Sequence, residues 1–354
     1  MKISVTQMLE KVVDLNASDL HISVGLKPYV RINTKLQPME DYPVFTEDDV
    51  EYVLSQVLET KQRDLLEVNK ELDFSIALGK KARFRVNAYF QKGYPAIALR
   101  LISIDIPTFT QLHLPENFDS LCSLKQGMFI VVGPAGQGKS TTIASMIERI
   151  NQTRAEHIVT IEDPIEYIFV SKKSVVEQRE MYLDTHSWDT SLKSVLRQDP
   201  NVVFIGEMRD IETIRSAISI AETGHLVFTT LHTSSAAQTI DRIITSFPME
   251  RQSEIKAQLS SVIDVVISER LIPSAQYGMI PAFEVMINND AVSNLIREGK
   301  PHMIDNVIST SAQSGMISLE KSLANLARSG AVTVEEAIKY AVRPAEFKRF
   351  LDRG

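Results

Sequence analysis

Phe129-Ile130-Val131-Val132-Gly133-Pro134-Ala135-Gly136-Gln137-Gly138-Lys139-Ser140-Thr141 runs from an apolar, strand-like segment through a glycine-rich loop into a segment with helical spacing. Glycines at 133, 136 and 138 let successive backbone N–H groups turn inward on phosphates. Lys139 is placed to reach the β- and γ-phosphates, and the Ser140 hydroxyl to hold Mg²⁺. Downstream, Ile143, Met146, Ile147 and Ile150 fall at i, i+3, i+4 and i+7, which predicts a helix with one buried stripe and its N-terminal dipole facing the loop. The whole of Gly133, Pro134, Ala135, Gly136, Gln137, Gly138, Lys139, Ser140 and Thr141 is therefore expected to cradle a nucleoside triphosphate.

Beyond the loop, short apolar segments alternate with helical ones. Met128–Val132, Ile158–Ile161, Val202–Ile205 and Leu226–Leu231 read as buried strands, which predicts an α/β fold around a mostly parallel sheet covered on both faces. Ile214, Ala217, Ile218 and Ala221 share one helical face within Glu212–Thr223, a segment that stops at Gly224. After about residue 285 the chain reads as a polar, helical C-terminal appendage.

The first 105 residues have a different texture. Thr46-Glu47-Asp48-Asp49 has the form of a capping box, followed by Val50, Val53, Leu54 and Val57 at helical spacing. Ala82–Tyr89 alternates, Gln91-Lys92-Gly93-Tyr94 offers a turn, and Ala96–Leu101 resumes the alternation, so a hairpin in a small α+β domain is expected. Pro107 and Pro115 with little periodicity mark residues 103–118 as a linker between domains 1–105 and 106–354.

A phosphate-loop enzyme needs an acidic group near Mg²⁺ and the attacking water, commonly at the end of a neighbouring strand. Glu207, just past Val202–Ile205, fits that need as the residue that activates or orients water, the alternative being a solvated strand end beside the polar Met208-Arg209-Asp210. The strand Ile158–Ile161 runs into Glu162-Asp163-Pro164-Ile165-Glu166, which gathers three carboxylates that need a cation, a water network or an arginine. Glu162 and Asp163 are candidates for metal or water organisation beside Ser140, the alternative being a plain turn. His225 and His232 bracket the strand Leu226–Leu231; one imidazole could read the γ-phosphate, while a satisfied core or surface histidine is the alternative for each.

Composition narrows the setting. The chain has 354 residues, 44% hydrophobic and 23% charged, as expected of a globular protein of one or two domains. Cys122 stands alone, which excludes an internal disulfide and any cysteine-rich zinc site and points to a reducing, cytoplasmic compartment. The start Met1-Lys2-Ile3-Ser4-Val5-Thr6-Gln7 lacks a signal peptide's apolar region, and no apolar stretch reaches the roughly 18 residues that span a bilayer. A net charge of −7 argues against direct nucleic-acid binding.

With these motifs in view, the chain resembles the secretion-type hexameric ATPases of the PilT group, the type IV pilus retraction motors, over nearly its whole length. Ala17-Ser18-Asp19-Leu20-His21 is similar to that group's N-terminal signature and Arg83-Phe84-Arg85-Val86-Asn87 to its arginine hairpin. The loop at 133–141 is similar to its Walker A motif, and Ile161–Glu166 to its Asp box. Leu196–Pro200 through Gly206–Asp210 resembles its Walker B region, and Ala221–His225 through Leu231–Thr233 its His box. The resemblance implies a PAS-like N-terminal domain joined to a RecA-like ATPase domain, assembled as a homo-hexamer with Mg-ATP between subunits and domains. It implies that Glu207 is the catalytic glutamate, that Glu162, His225 and His232 surround the phosphates, and that Arg85 and Arg100 reach them from the N-terminal domain. It further implies partnership with an inner-membrane pilus platform protein, and with other pilus ATPases, at the inner face of the cytoplasmic membrane. A pilus-assembly or type II secretion relative would usually carry a further N-terminal domain and a four-cysteine element. The retraction group's Ala-Ile-Arg-Asn-Leu-Ile-Arg-Glu motif reads here Ala291-Val292-Ser293-Asn294-Leu295-Ile296-Arg297-Glu298, with serine replacing the first arginine. An accessory ring supporting another motor is the alternative that Ser293 raises, and a nucleic-acid motor on the same core is a third. Ala135 and Gln137 depart from the usual Thr and Ser of the loop.

Overall fold

The computed structural model describes residues 4–32, 35–79, 81–102, 105–115 and 117–352. The chain divides into two compact units, one reaching Asp105 and taking in Glu166–Ile168, the other holding 106–165 and the remainder from Phe169. Residues 1–3, on which part of the signal-peptide reading falls, and 103, 104 and 116 of the expected linker lie outside the described residues. The linker reading also extends too far, because Phe118 is fully buried and packs its ring 5.3 Å from Phe283.

The first unit is an antiparallel sheet of six strands in the order β3-β2-β1-β6-β5-β4. These are β1 (Asp19–Ser23), β2 (Tyr29–Ile32), β3 (Lys35–Pro38), β4 (Glu71–Leu78), β5 (Ala82–Gln91) and β6 (Tyr94–Ile102). Alternation puts Phe84, Val86, Ala88, Ile97 and Leu99 on one face. There they share a core with Met8 and Val12 of α1 (Val5–Asp14), Val50, Val53 and Leu54 of α2 (Glu47–Val57) and Leu66 of α3 (Thr60–Asn69). The capping box of α2 is present: the Asp49 N–H donates to Thr46 Oγ1 at 3.3 Å and the Thr46 N–H to Asp49 Oδ2 at 2.8 Å. Lys92 (φ 53°) and Gly93 (φ 85°) form a two-residue turn of the kind that tight hairpins require. That turn fixes the β5–β6 register and sets Arg85 directly opposite Arg100.

The second unit is an α/β fold of the RecA-like phosphate-loop type, with a seven-stranded sheet in the order β13-β12-β7-β11-β10-β8-β9. Its strands are β7 (Gly127–Val132), β8 (His157–Glu162), β9 (Val175–Glu180), β10 (Val202–Ile205), β11 (Leu226–Leu231), β12 (Ile263–Ser274) and β13 (Gly278–Ile287). All neighbours are parallel except β12 and β13. Helices α4 (Asn117–Leu121), α5 (Lys139–Thr153), α6 (Trp188–Val195), α7 (Ile211–Glu222), α8 (Ala236–Thr245) and α9 (Met249–Val262) connect them. Met128, Ile130 and Val132 enter one core with residues of α6–α9, while Phe129 points the other way and stacks on Phe228 at 5.1 Å. Both faces are therefore covered, which is why the central strands tolerate continuous apolar sequence.

The C-terminal region is helical: α10 (Asp290–Glu298), α11 (Ile304–Thr310), α12 (Leu319–Arg328), α13 (Val334–Tyr340) and α14 (Pro344–Asp352). Leu319, Leu323, Val332, Ala337 and Phe347 close a satellite core over Ile272 and Ile280 of the β12–β13 hairpin. That long hairpin was not signalled by the sequence pattern.

Candidate nucleotide site

Parallel strands align their carboxyl ends, and the candidate groups gather there. The loop at 133–138 follows β7 and delivers Gly138 (φ +98°) as the N-cap of α5, a helix of 15 residues whose first turn receives no side-chain cap. By contrast, Ser187, Asp210, Ser235 and Asn289 cap α6, α7, α8 and α10 with their side chains. The first N–H groups of α5 are left to the loop mouth, where phosphate oxygens are suitable acceptors. Lys139, only 7% exposed, donates from Nζ to the carbonyls of Gly133 at 2.8 Å and Pro134 at 2.9 Å. The ammonium thus lies folded over the loop it would serve, so the residues present fit a phosphate group with Mg²⁺ at Ser140.

His232, directly after β11, stands between this lysine and Glu207. Its Nδ1 is 3.3 Å from Lys139 Nζ and its Nε2 is 3.2 Å from Glu207 Oε1. An ammonium can only donate, so Nδ1 is the acceptor and the ring proton sits on Nε2, facing the carboxylate. Glu207 follows Gly206 at the end of β10. Its turn is pinned to β11, since Thr230 Oγ1 donates to Gly206 O at 2.6 Å and the Met208 N–H to Thr230 O at 3.2 Å.

Arg209 supplies the cation that the crowded carboxylates need. Its Nε donates to Glu207 Oε2 at 3.0 Å and its Nη1 to Asp163 Oδ2 at 3.1 Å, and the hydrogen bond to Glu207 raises the guanidinium above its ordinary range. Asp163 is therefore an ion-pair partner of Arg209. Glu162, 5% exposed at the end of β8, accepts hydrogen bonds from Thr160 Oγ1 at 2.6 Å and Gln178 Nε2 at 3.2 Å. Gly206 packs against its backbone, with room for a Cβ only at 3.4 Å from Glu162 Cα.

The structure separates the two histidines. β11 runs parallel to β7 with Leu226 opposite Gly127 and Leu231 opposite Val132, so His225 lies at the amino edge and His232 at the carboxyl edge. Seven residues of strand put roughly 20 Å between them. His225 Nδ1 instead lies 3.0 Å from both Ile220 O and Thr223 Oγ1 at the end of α7. The expectation that both imidazoles surround the phosphates is thus corrected for His225 within this chain, because a strand cannot present its two ends to one point.

In the first unit Arg85 is exposed and carries no ion pair among the described residues. Arg100 donates from Nε to Asp19 Oδ1 at 3.0 Å, and Asp19 also lies 3.5 Å from Arg31 Nε. Burial works against the charge on Asp19, yet hydrogen bonds from Ser18 and Arg100 hold its carboxyl below the usual range. Two like charges directly opposed in a sheet repel, and Asp19 offsets only part of that. Sequence reasoning missed this pairing, although counting outward from the two-residue turn at 92–93 would have revealed it.

It also missed Glu269 as a neighbour of the loop and the tie that the Gln137 side chain makes to β12. Glu269 of β12 is 2% exposed, accepts from Thr142 Oγ1 at 2.8 Å, and is pushed up to about 8 by burial. Gln137 Oε1 accepts the Leu271 N–H at 2.9 Å. Ala135 is exposed and nothing in the structure explains its identity.

The chain is similar to known proteins over nearly its whole length. The pattern of the type II/IV secretion system protein family matches residues 1–343. The type IV pilus retraction ATPase PilT of Pseudomonas aeruginosa is 40% identical over 97% of this chain and 99% of its own length. The type IV pilus ATPase PilU of the same organism is 38% identical over 98% of this chain and 91% of its own. A crystal structure of the pilus retraction motor PilT with bound ADP superposes with a TM-score of 0.92 at 42% identity, covering 98% of this chain and 99% of that one. With a phosphate loop, a strand-end glutamate and a histidine joined in one network, and with that extent of likeness, the chain belongs to the type II/IV secretion system ATPase family, on the side that holds the pilus retraction ATPases.

Proposed function

We propose that this chain is an ATP-hydrolysing motor subunit that powers retraction of a type IV pilus. The observation that carries the reading is the Lys139–His232–Glu207 chain beside an uncapped helix N-terminus. In it a phosphate-binding cation and a candidate base are linked through a single imidazole. Gly133–Thr141 would hold the triphosphate, with Ser140 as the Mg²⁺ ligand and Glu162 and Asp163 nearby as candidates for its water shell. Bound there, the metal would neutralise charge on the β- and γ-phosphates. Glu207 orients and deprotonates the attacking water, His232 donates to Glu207 through Nε2 and holds it in place, and Arg209 holds its other carboxylate oxygen through Nε. Arg85 and Arg100, on a PAS-like first unit, serve as phosphate-reaching guanidiniums, a use that suits their exposed, mutually repelling placement. His225 fastens β11 to α7 in this reading.

The motor assembles as a homo-hexamer and acts in the cytoplasm on an inner-membrane platform protein of the pilus, alongside other pilus ATPases. Among the described residues no helix is long and apolar enough to cross a membrane. A second reading, an accessory ring supporting another motor, is favoured by Ser293. Here that side chain bonds to Ser260 O at 3.0 Å and Asn288 Oδ1 at 3.1 Å, where the retraction motif has an arginine.

Glu207→Gln should bind ATP and lose turnover by about 10²-fold or more. Near-normal phosphate release by the purified variant would overturn the assignment. Deleting the gene and imaging labelled pili tests direction: hyperpiliated, non-retracting cells fit retraction, bald cells indicate assembly, and normal retraction indicates the accessory role.

A further inference from the structure

We propose that Glu269 and Gln137 are positioning residues that together clamp the phosphate loop from beneath and hold it in its binding shape. The proposal rests on the nucleotide-binding reading above; it adds Glu269, which that reading does not use, and gives the Gln137 side chain a role that it does not state.

β12 pairs in parallel with β7, Ile267 opposite Val131 and Ser268 opposite Val132, so the next residue, Glu269, emerges alongside Gly133 just as the loop begins. The contact is close at two points. A Cβ on Gly133 would lie 2.5 Å from the Glu269 carbonyl oxygen, and a Cβ on Gly138 would overlap Glu269 Oε1. Both glycines also have positive φ, +150° and +98°. Two hydrogen bonds complete the clamp. Glu269 Oε2 accepts from Thr142 Oγ1 on the first turn of α5, and Gln137 Oε1 reaches down to the Leu271 N–H. Glu269 meets the loop at its start, at the N-cap of α5 and in the first turn of the helix, and Leu271, two positions on along the same strand, holds it at Gln137. Glu269 acts through Gly138 and Thr142 and reaches no substrate atom itself.

A carboxyl in this place would repel phosphates if charged, and burial counters that by favouring the protonated form, with Lys139 the charged group acting on it. Glu269→Gln copies the neutral shape and keeps the acceptor. Glu269→Leu keeps the volume and loses it. Gln137→Ala releases the other tie from a half-buried loop position.

The test is ADP binding by titration calorimetry on the full chain, with thermal melts of the ligand-free proteins alongside. Glu269→Gln should bind ADP within about twofold of the parent protein. Glu269→Leu and Gln137→Ala should each bind about 5–10-fold more weakly, the loss expected of one hydrogen bond that preorganises a site. A purely structural role would lower the melting temperature and leave affinity unchanged. Parent-like ADP affinity in folded Gln137→Ala overturns the clamp, and decides the matter alone if Glu269→Leu does not fold. Weakening by Glu269→Gln as large as by Glu269→Leu also overturns it, by showing that charge matters rather than shape. Failure of the parent chain to bind ADP would instead sink the nucleotide-binding reading itself.

Discussion

Glu284→Gln should stabilise the protein at neutral and alkaline pH and leave it nearly unchanged below about pH 4. Glu284 of β13 is 7% exposed, and its Oε1 accepts the Ala236 N–H at 2.7 Å at the start of α8. Burial pushes the carboxyl up from an ordinary 4.5 to about 7; the hydrogen bond from Ala236 opposes that, Asp305 and Glu320 add to it, and Arg343 opposes it again. The folded state therefore holds a proton that the unfolded chain releases between about pH 4.5 and 7, and stability falls as pH rises through that window. Below it Glu284 imposes no electrostatic penalty, and above it the cost is constant. At about 1.4 kcal/mol per pH unit the full penalty is ~3 kcal/mol. Glutamine keeps the acceptor for Ala236 and carries no charge, so its gain over the parent should grow from ~1 kcal/mol at pH 5 to ~3 kcal/mol at pH 8. Urea unfolding followed by the fluorescence of Trp188 suits the measurement, because that single tryptophan packs against the core of the second unit. A difference between variant and parent that is flat from pH 5 to 8 would refute the reasoning.

Other perturbations separate structure from chemistry. His232→Ala should slow phosphate release by about 10²-fold with little change in melting temperature, since the imidazole is 52% exposed. A parent-like rate would remove His232 from the network. Arg343→Ala removes the guanidinium that pairs with Asp305 and lies 3.8 Å from Glu346, and should lower stability by about 2 kcal/mol in the same urea assay. The loss should shrink when Glu284→Gln is combined with it, and strict additivity would show that the two residues do not interact. Asp19→Asn should cost less than about 1 kcal/mol, because Arg100 is 68% exposed. The effect should be present above the ordinary aspartate range and vanish as pH falls through the depressed value of Asp19, where the parent loses the same charge.

The central strands were legible because burial on both faces permits uninterrupted apolar runs, as in Val202–Ile205 and Leu226–Leu231. The capping box at Thr46 and the turn at 92–93 were equally legible, since each uses local chemistry. β12 was hidden by its own function in the fold. Asp264, Glu269 and Arg270 interrupt what would otherwise read as an apolar strand, and β12 follows α9 with no turn residue between them. β9, an edge strand reading Val-Val-Glu-Gln-Arg-Glu, carries charge because one side of its backbone meets solvent. In the site, Glu207 could be placed from sequence because a strand end implies the sheet's carboxyl edge. Arg209, two residues on, could not, because its role depends on Asp163 arriving from β8.

The ionic and polar groups of the site form a continuous series, Asp163, Arg209, Glu207, His232 and Lys139, each within 3.0–3.3 Å of the next. Such a series is satisfied only as a whole, since each member's partner is itself held by another. Lys139 is the one end that a phosphate would engage, and it is tied to two loop carbonyls and one imidazole nitrogen. Under the proposed function, any group that draws the ammonium away from Nδ1 alters the link that His232 makes between the loop and Glu207. The glutamate itself stays fixed by Arg209 and by the Thr230 bond to its turn. The base is thus rigid, the lysine is held by exchangeable bonds, and His232 is the element between them whose hydrogen bonding must change. Under the proposed function, the imidazole is therefore where occupancy of the loop reaches Glu207. Its neighbours are placed accordingly: Thr230 and Gly206 hold the glutamate's turn from the sheet side, and the carbonyls of Gly133 and Pro134 hold the lysine from the loop side.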